Sequence, residues 1–326
     1  MTLGVVVPCH RQEEHLPRTV TALERALAGH AWRGVIVLGG RDDDRAPRPV
    51  FGPSWQVLAP PAGVAGTPGA ARMLGFAAVE GAWTLFVDAD TEVNADWVGH
   101  ALAATAADPR VAGYGGRIEE RVFAGALDWA GDPDLNRVGD LERDVDLVTT
   151  PALYRRAALL AEGGYDARLG AEEDFELGLR LRRAGWRLRV LAGPAARHWN
   201  PPRPSLAELG RRWRFGLTFG PGEALRLYLG RPGFGALLGR QRLPLAMLGL
   251  WLAGAAAFAA TALGAGALPL ELWALAWLAL MLLVASRKRS LRLAVLGVLT
   301  WSANGAGMLV GFVRRPRRLT LAAGAR

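Results

Sequence analysis

The sequence holds a single cysteine, Cys9. No intrachain disulfide and no cysteine-rich zinc site can be built from it, and a reducing compartment is allowed. The opening stretch MTLGVVVPCHR has no basic n-region and its apolar run stops at Pro8, so no secretory signal is expected and the N-terminal part should stay in the cytosol. Internal repeats and low-complexity segments are missing as well. Acidic residues are scarce only towards the far end. Residues 201–326 hold 3 acids against 17 bases, whereas residues 1–200 hold 27 against 22, so the net charge of +9 belongs to the C-terminal part. That charge is interleaved with long apolar runs rather than with exposed aromatic stacking motifs. It therefore points to an anionic membrane surface and away from nucleic acid.

A chain of 326 residues can bury one good-sized core together with a membrane region. Val5-Val6-Val7 before Pro8 reads as a buried strand, and Leu16 to Leu27 carries helical spacing with Gly29 as a stop. Further apolar runs, Val35 to Leu38 and Trp83 to Val87, end at Gly39-Gly40 and at Asp88, with small helix formers from Ala70 to Val79 between them. Strands alternating with helices predict parallel pairing in an open α/β sheet, whose ligands gather beyond the carboxyl ends of the strands. Pro8, Gly39 and Asp88 stand at such ends. Another helix is predicted from about Asp174 to Ala184, stopped by Gly185.

After Asn200 the character changes. Pro201-Pro202-Arg203-Pro204 reads as a stiff linker, and Ser205 as the N-cap of a basic amphipathic helix with Arg211, Arg212, Trp213 and Arg214. Residues 243–270, 272–286 and 293–313 carry no charge. With about 20 apolar residues needed per span, the first and third suffice alone, while the second must borrow from Gly266 to Leu270 and tolerate Glu271. Arg240 and Arg242 before the first span put the N-terminal domain in the cytosol. Three spans would send the Arg314–Arg318 cluster to the other side, so a re-entrant third segment through Trp301-Ser302-Ala303-Asn304-Gly305 is an alternative. Gly307 and Gly311 form a small-residue pair suited to helix packing.

Four constellations carry chemistry. Asp88-Ala89-Asp90 puts two carboxylates on a turn after a buried strand, where they suit Mg2+ or Mn2+ shared with substrate phosphates; the alternative is a polar turn ahead of a helix capped by Thr91. Gly66-Thr67-Pro68-Gly69-Ala70-Ala71-Arg72 leads into a helix, and its backbone N–H groups and Arg72 could face a diphosphate, or it is an ordinary loop. Glu172-Glu173-Asp174 opens a helix, either complementing its macrodipole or supplying Asp174 as a general base. His198, among Arg197, Trp199 and Asn200, is either structural or an imidazole ligand for a metal.

Taken in order, VVVPCHRQEEHL, GTPGAARMLGFAAV, TLFVDADTEV, TTPALYRRAALLAEGGYDARLGAEEDFELGLRLRRAGWR and ARHWNPPRPSLAELGRRWRFG resemble the family 2 glycosyltransferases of GT-A fold over roughly residues 3–220. The resemblance implies that Asp88 and Asp90 form a DXD motif, with Asp90 on the metal and Asp88 nearer the ribose and the metal's waters. It implies Asp174 as catalytic base, His198 as a further metal ligand, and Pro8, His10 and Glu14 around the nucleobase and ribose. Arg72 would approach the diphosphate, and Glu173 and Trp213 would lie on the acceptor side. There are two departures. Gly39 and Gly40 stand where relatives carry an aspartate that reads the base, with Asp42, Asp43 and Asp44 displaced towards the loop, so UDP is the default but GDP or dTDP stays open. Leu209 replaces the glutamine of the processive Gln-x-x-Arg-Trp signature, which favours transfer of a single sugar.

The expected organisation is a Rossmann-like GT-A domain over 1–205, a basic interfacial segment over 206–242, two to three transmembrane helices over 243–313 and a basic tail over 314–326. The expected protein is a multi-pass enzyme of the plasma (inner) membrane with its catalytic domain in the cytosol. It would use Mn2+ or Mg2+, a nucleotide-sugar donor and a lipid or lipid-linked acceptor, with inversion and without nucleic acid. A catalytically degenerate scaffold protein and a nucleotidyltransferase are the alternatives. Retention of Asp88, Asp90, Glu173, Asp174 and His198 speaks against the first, and the Glu173-Asp174 helix has no task in the second.

Overall fold

The valine run near the N-terminus alternates between two apolar layers, and this sets the architecture. Val5 and Val7 pack with Leu16, Val20, Leu23, Leu27, Leu85 and Trp97 on one face, while Val6 packs with Val35, Val37, Phe76, Phe86, Leu177 and Leu181 on the other. A strand covered on both faces must be apolar at every position, which is why the run is continuous rather than alternating. The computed structural model describes residues 2–39, 49–60, 66–124, 127–200 and 205–314. They divide into two compact units, one within residues 2–200 and the other within residues 205–314.

In chain order the first unit comprises β1 (Thr2–His10), α1 (Leu16–Ala26), β2 (Ala31–Gly39), β3 (Trp55–Leu58), α2 (Pro68–Ala78), β4 (Trp83–Phe86), β5 (Thr91–Val93), α3 (Ala95–Ala104), β6 (Val111–Ala124), β7 (Leu127–Ala130), β8 (Arg143–Asp144), β9 (Ala152–Arg155), α4 (Arg156–Ala161), α5 (Glu173–Arg183) and β10 (Arg187–Asn200). The sheet runs β3-β2-β1-β4-β9-β6-β10-β5, with β7 paired to β6 and β8 to β10. As predicted, β1, β2 and β4 pair in parallel, and β3, which the sequence reading did not name, joins β2 in parallel too. Beyond β4 the sheet is mixed: β6 and β10 pair in parallel, but other neighbours do not. β9 runs antiparallel to both β4 and β6, and β5 antiparallel to β10. The simple strand-helix alternation ends at Asp88, and from there antiparallel neighbours enter the sheet. Its parallel half brings the carboxyl ends of β1, β2 and β4, at His10, Gly39 and Phe86, to one side of the sheet.

The second unit is helical: α6 (Leu206–Arg214), α7 (Gly220–Leu227), α8 (Phe234–Arg240), α9 (Arg242–Ala260), α10 (Leu268–Lys288) and α11 (Leu291–Val313). Ser205 caps α6, its hydroxyl accepting from the Glu208 amide at 3.1 Å. Three helices, Arg242–Ala265, Leu268–Lys288 and Leu291–Val313, are long and apolar enough to cross a membrane. The second does borrow from the first apolar run, starting at Leu268 with Glu271 in its first turn. The re-entrant alternative for the third is not what the structure has, because α11 is one unbroken helix. Its polar and small residues serve packing instead. Ser302 accepts from Trp251 Nε1 of α9 at 3.0 Å. A Cβ on Gly311 would stand 2.0 Å from the Phe219 carbonyl oxygen, and one on Gly222 of α7 1.9 Å from that of Met308, so glycine alone lets the backbones of α7 and α11 approach. Arg226 then closes the end of α11, donating to the Phe312 and Val313 carbonyls at 2.9 Å each.

Candidate active site

The Asp88-Ala89-Asp90 turn is fixed from both sides. Val87 N–H bonds the Val6 carbonyl at 3.0 Å, and Thr91 N–H closes the turn on the Asp88 carbonyl at 3.1 Å. Ala89 is fully buried, and its carbonyl accepts from Thr19 Oγ1 of α1 at 2.6 Å. Thr91 begins β5 rather than capping a helix, a task that Asn94 performs for α3. The polar-turn alternative thus loses its helix cap.

Sheet register delivers His198 to this turn. β10 pairs antiparallel with β5, opposing His198 to Thr91, and Trp199 N–H donates to the Asp90 carbonyl at 3.0 Å. His198 Nε2 consequently lies 3.0 Å from Asp90 Oδ1. The other oxygen, Oδ2, accepts from Gln12 Nε2 at 2.6 Å. Burial opposes the charge on Asp90, yet His198 and the Gln12 amide more than offset it and hold the carboxyl below its usual range.

Asp88 is held differently. Thr150 donates to Asp88 Oδ2 in a short contact, and Arg72 Nη2 donates to Oδ1 at 3.1 Å. Arg72 also reaches α5: its Nη1 bonds Glu173 Oε1 at 2.5 Å and lies 3.8 Å from Asp174 Oδ1. Its guanidinium stands over the Tyr165 ring, 5.1 Å from the centroid. Burial works against the Arg72 charge, but Asp174, Asp88 and Glu173 keep it protonated far above the ordinary range. Asp174 Oδ1 is buried and receives no aligned hydrogen bond. Burial pushes the Asp174 carboxyl up to about 7; Arg72 opposes this, Glu173 and Asp88 add to it, and the Tyr165 hydroxyl opposes it more weakly.

The structure therefore gathers Asp88, Asp90, Arg72, Glu173, Asp174 and His198 into two linked clusters. The structure gives the places of the other expected site residues as follows. Pro8 sits in the β1–β2 ladder opposite Val37, and His10, exposed at the end of β1, pairs with Gly39. Glu14 is exposed and faces His15 at 3.6 Å. Trp213 belongs to the second unit, where it meets Phe219 edge-on with centroids 5.2 Å apart. Gly40, Asp42, Asp43 and Asp44 lie outside the described residues. Arg72, expected at the diphosphate, is 4% exposed and engaged by carboxylates. Glu173, expected on the acceptor side, is its closest partner.

The Gly66–Arg72 segment also has a different reason for its sequence. Thr67 caps α2, accepting from Ala70 N–H at 3.1 Å, and donates to the Ala167 carbonyl at 2.6 Å. Pro68 fills the first helical position. A Cβ on Gly69 would lie 2.6 Å from the Asp166 carbonyl oxygen, so this glycine admits the loop that leads to α5. Replacing Gly69 with Ala should destabilise the first unit by about 1–3 kcal/mol through overpacking, read as a lower denaturation midpoint. Unchanged stability would mean that the loop moves aside at no cost. Gln12 and Thr150 are two site residues that sequence reasoning missed. Only the place of Gln12, in the loop after β1 between His10 and Glu14, signalled it.

Two donor atoms, Asp90 Oδ1 and His198 Nε2, fit a divalent cation. Adjacent ligands of an octahedral ion with bonds of 2.0–2.1 Å stand about 3 Å apart, and these stand 3.0 Å apart. Oδ1 is buried and receives no aligned hydrogen bond, which leaves it disposed to such a partner. Among the described residues no three His, Cys, Asp or Glu side chains converge as a preformed cage. A cation here would complete its shell with water and phosphate.

The family profile described as "Glycosyltransferase like family 2" matches residues 2–216. No curated protein sequence matches the chain. Among solved structures, the mannosyltransferase PcManGT from Pyrobaculum calidifontis, in complex with GDP-Man and Mn2+, superposes with a TM-score of 0.61 at 16% identity, covering 94% of this chain and 86% of that one. TarS 1–349 of S. aureus in complex with UDP-GlcNAc gives a TM-score of 0.48 at 17% identity, covering 70% of this chain and 65% of that one. The likeness to PcManGT, at 16% identity, shows the fold alone.

Proposed function

Because the chain belongs to the glycosyltransferase-like family 2, we propose that it moves one sugar from a nucleoside-diphosphate donor to a hydroxyl acceptor, with inversion, at the cytosolic face of a membrane. The observation that carries this reading is the junction at Arg72, where one buried guanidinium joins Asp88 of the DXD turn to Glu173 and Asp174 of α5. A donor-binding carboxylate and an acid whose proton affinity is near neutral thereby sit around a single cation.

In the proposed reaction the acceptor oxygen bonds to the anomeric carbon as the bond from that carbon to the diphosphate oxygen breaks. Asp174 takes the hydroxyl proton from the face opposite the leaving group, and in-line displacement inverts the centre. Its carboxyl, raised to about 7, is matched to that task near neutral pH. Asp90 and His198 hold the divalent cation, with Gln12 fixing the second oxygen of Asp90. When bound, the cation supplies charge neutralisation for the departing nucleoside diphosphate. Asp88, anchored by Thr150 and Arg72, faces the ribose side.

The acceptor is proposed to be lipid or lipid-linked, since three helices able to cross a membrane follow the catalytic unit. The donor base is UDP, GDP or dTDP, as Gly39 offers no side chain to read it. The test is transfer from labelled donors to a membrane lipid extract, with the anomeric configuration of the product read by NMR. An inverted glycolipid is expected; retained configuration would overturn the displacement, and label confined to water-soluble acceptors would overturn the lipid assignment.

A further inference from the structure

Three carboxylates share one buried cation, and they do not share it equally. Glu173 takes the short bond to Arg72 Nη1 at 2.5 Å. Asp88 takes Nη2 at 3.1 Å. Asp174 is left with Nη1 at 3.8 Å, beyond hydrogen-bonding distance. Its Oδ1 is buried without an aligned hydrogen bond, and the Tyr165 hydroxyl is a lesser influence that lowers its proton affinity. A carboxylate gripped by arginine makes a poor base, because the cation stabilises its ionised form. One set beside an arginine already occupied keeps its appetite for a proton.

We propose that Arg72 and Glu173 are positioning residues that set the proton affinity of Asp174: Glu173 draws the guanidinium away from the base, and Arg72 limits how far that affinity rises. This rests on reading Asp174 as the base, and it removes both residues from the contacts made directly to donor and acceptor. The geometry supports it in three ways. Arg72 is 4% exposed and Glu173 7%, so neither offers its charged end to an open cleft. Arg72 comes from α2 and Asp88 from the turn after β4, so the cation and its second carboxylate approach Asp174 from outside α5. The remaining titratable neighbours, Tyr154 on β9 and Tyr165 ahead of α5, are kept neutral by burial. The charges that face Asp174 are therefore Arg72, Glu173 and Asp88.

The signs follow. Loss of the Glu173 charge removes a like charge and frees Arg72 for Asp174, lowering its proton affinity; loss of the Arg72 charge raises it. Profiles of kcat/KM against pH for wild type, Glu173→Gln and Arg72→Gln test this in the full-length, detergent-purified protein. The wild-type acid limb should lie near pH 7. In Glu173→Gln it should move down by about one pH unit, and in Arg72→Gln up by about one unit or more, with turnover lost near neutrality recovering in alkali. Opposite shifts support the proposal. A lower rate with an unmoved limb, or shifts of the same sign, would overturn it, since a purely structural role predicts those results. Should Arg72→Gln fail to fold by circular dichroism, the downward shift in Glu173→Gln decides alone. Failure of the base reading is separable: Asp174→Asn would then turn over like wild type, whatever the two profiles show.

Discussion

Asp174→Asn is expected to lower kcat by about 10²–10⁴-fold while leaving KM for the donor and the circular dichroism spectrum unchanged. The carboxamide keeps the size of the side chain at the start of α5, but it cannot accept a proton from a hydroxyl at neutral pH. Donor affinity should survive, because the Asp88–Asp90 turn is held by β1, Thr19, Thr150 and Arg72, all of which the carboxamide leaves in place. Steady-state kinetics with saturating acceptor separate the two constants. Wild-type kcat in a folded variant would remove Asp174 from the reaction, and a raised KM with unchanged kcat would make it a binding residue instead.

Asp90→Ala should abolish measurable Mn2+ binding and reduce turnover by at least about 10²-fold. One of the two converging donor atoms disappears, and His198 and Gln12 both lose their Asp90 partner. Additional Mn2+ should not restore activity. Titration calorimetry or electron paramagnetic resonance of Mn2+ reads the binding without reference to turnover. Unaltered Mn2+ affinity would show that the cation, if any, sits elsewhere.

The sequence announces the parallel half of the fold because each strand there is a doubly buried apolar run, and such runs stand out. Val5 to Val7, Val35 to Leu38 and Trp83 to Val87 are of this kind. β6 and β10 do not stand out. VAGYGGRIEERVFA mixes glycine with charge, and RLRVLAGPAARHWN contains Gly193 and Pro194, yet both strands run for 14 residues beside one another. Long-range pairing overrides their weak local preference. The same distinction holds at the site. Asp88, Asp90, Asp174 and His198 were legible as residue types in ordered motifs. Their partners were not, since Arg72–Glu173 spans 101 residues and Gln12–Asp90 spans 78. Only folding shows that Arg72 points into carboxylates rather than outwards, and that Gly69 makes room for the Asp166 backbone.

The central claim is a glycosyl transfer supported by a divalent cation at Asp90 and His198. Release of nucleoside diphosphate from a panel of UDP-, GDP- and dTDP-sugars by the detergent-purified protein tests it most directly, with membrane lipid extract present and with Mn2+, Mg2+ or chelator. Release from at least one donor should require Mn2+ or Mg2+, stop on chelation, rise with lipid extract and vanish in Asp90→Ala. Release that persists unchanged in chelator and in Asp90→Ala, or none from any donor under these conditions, would contradict the account.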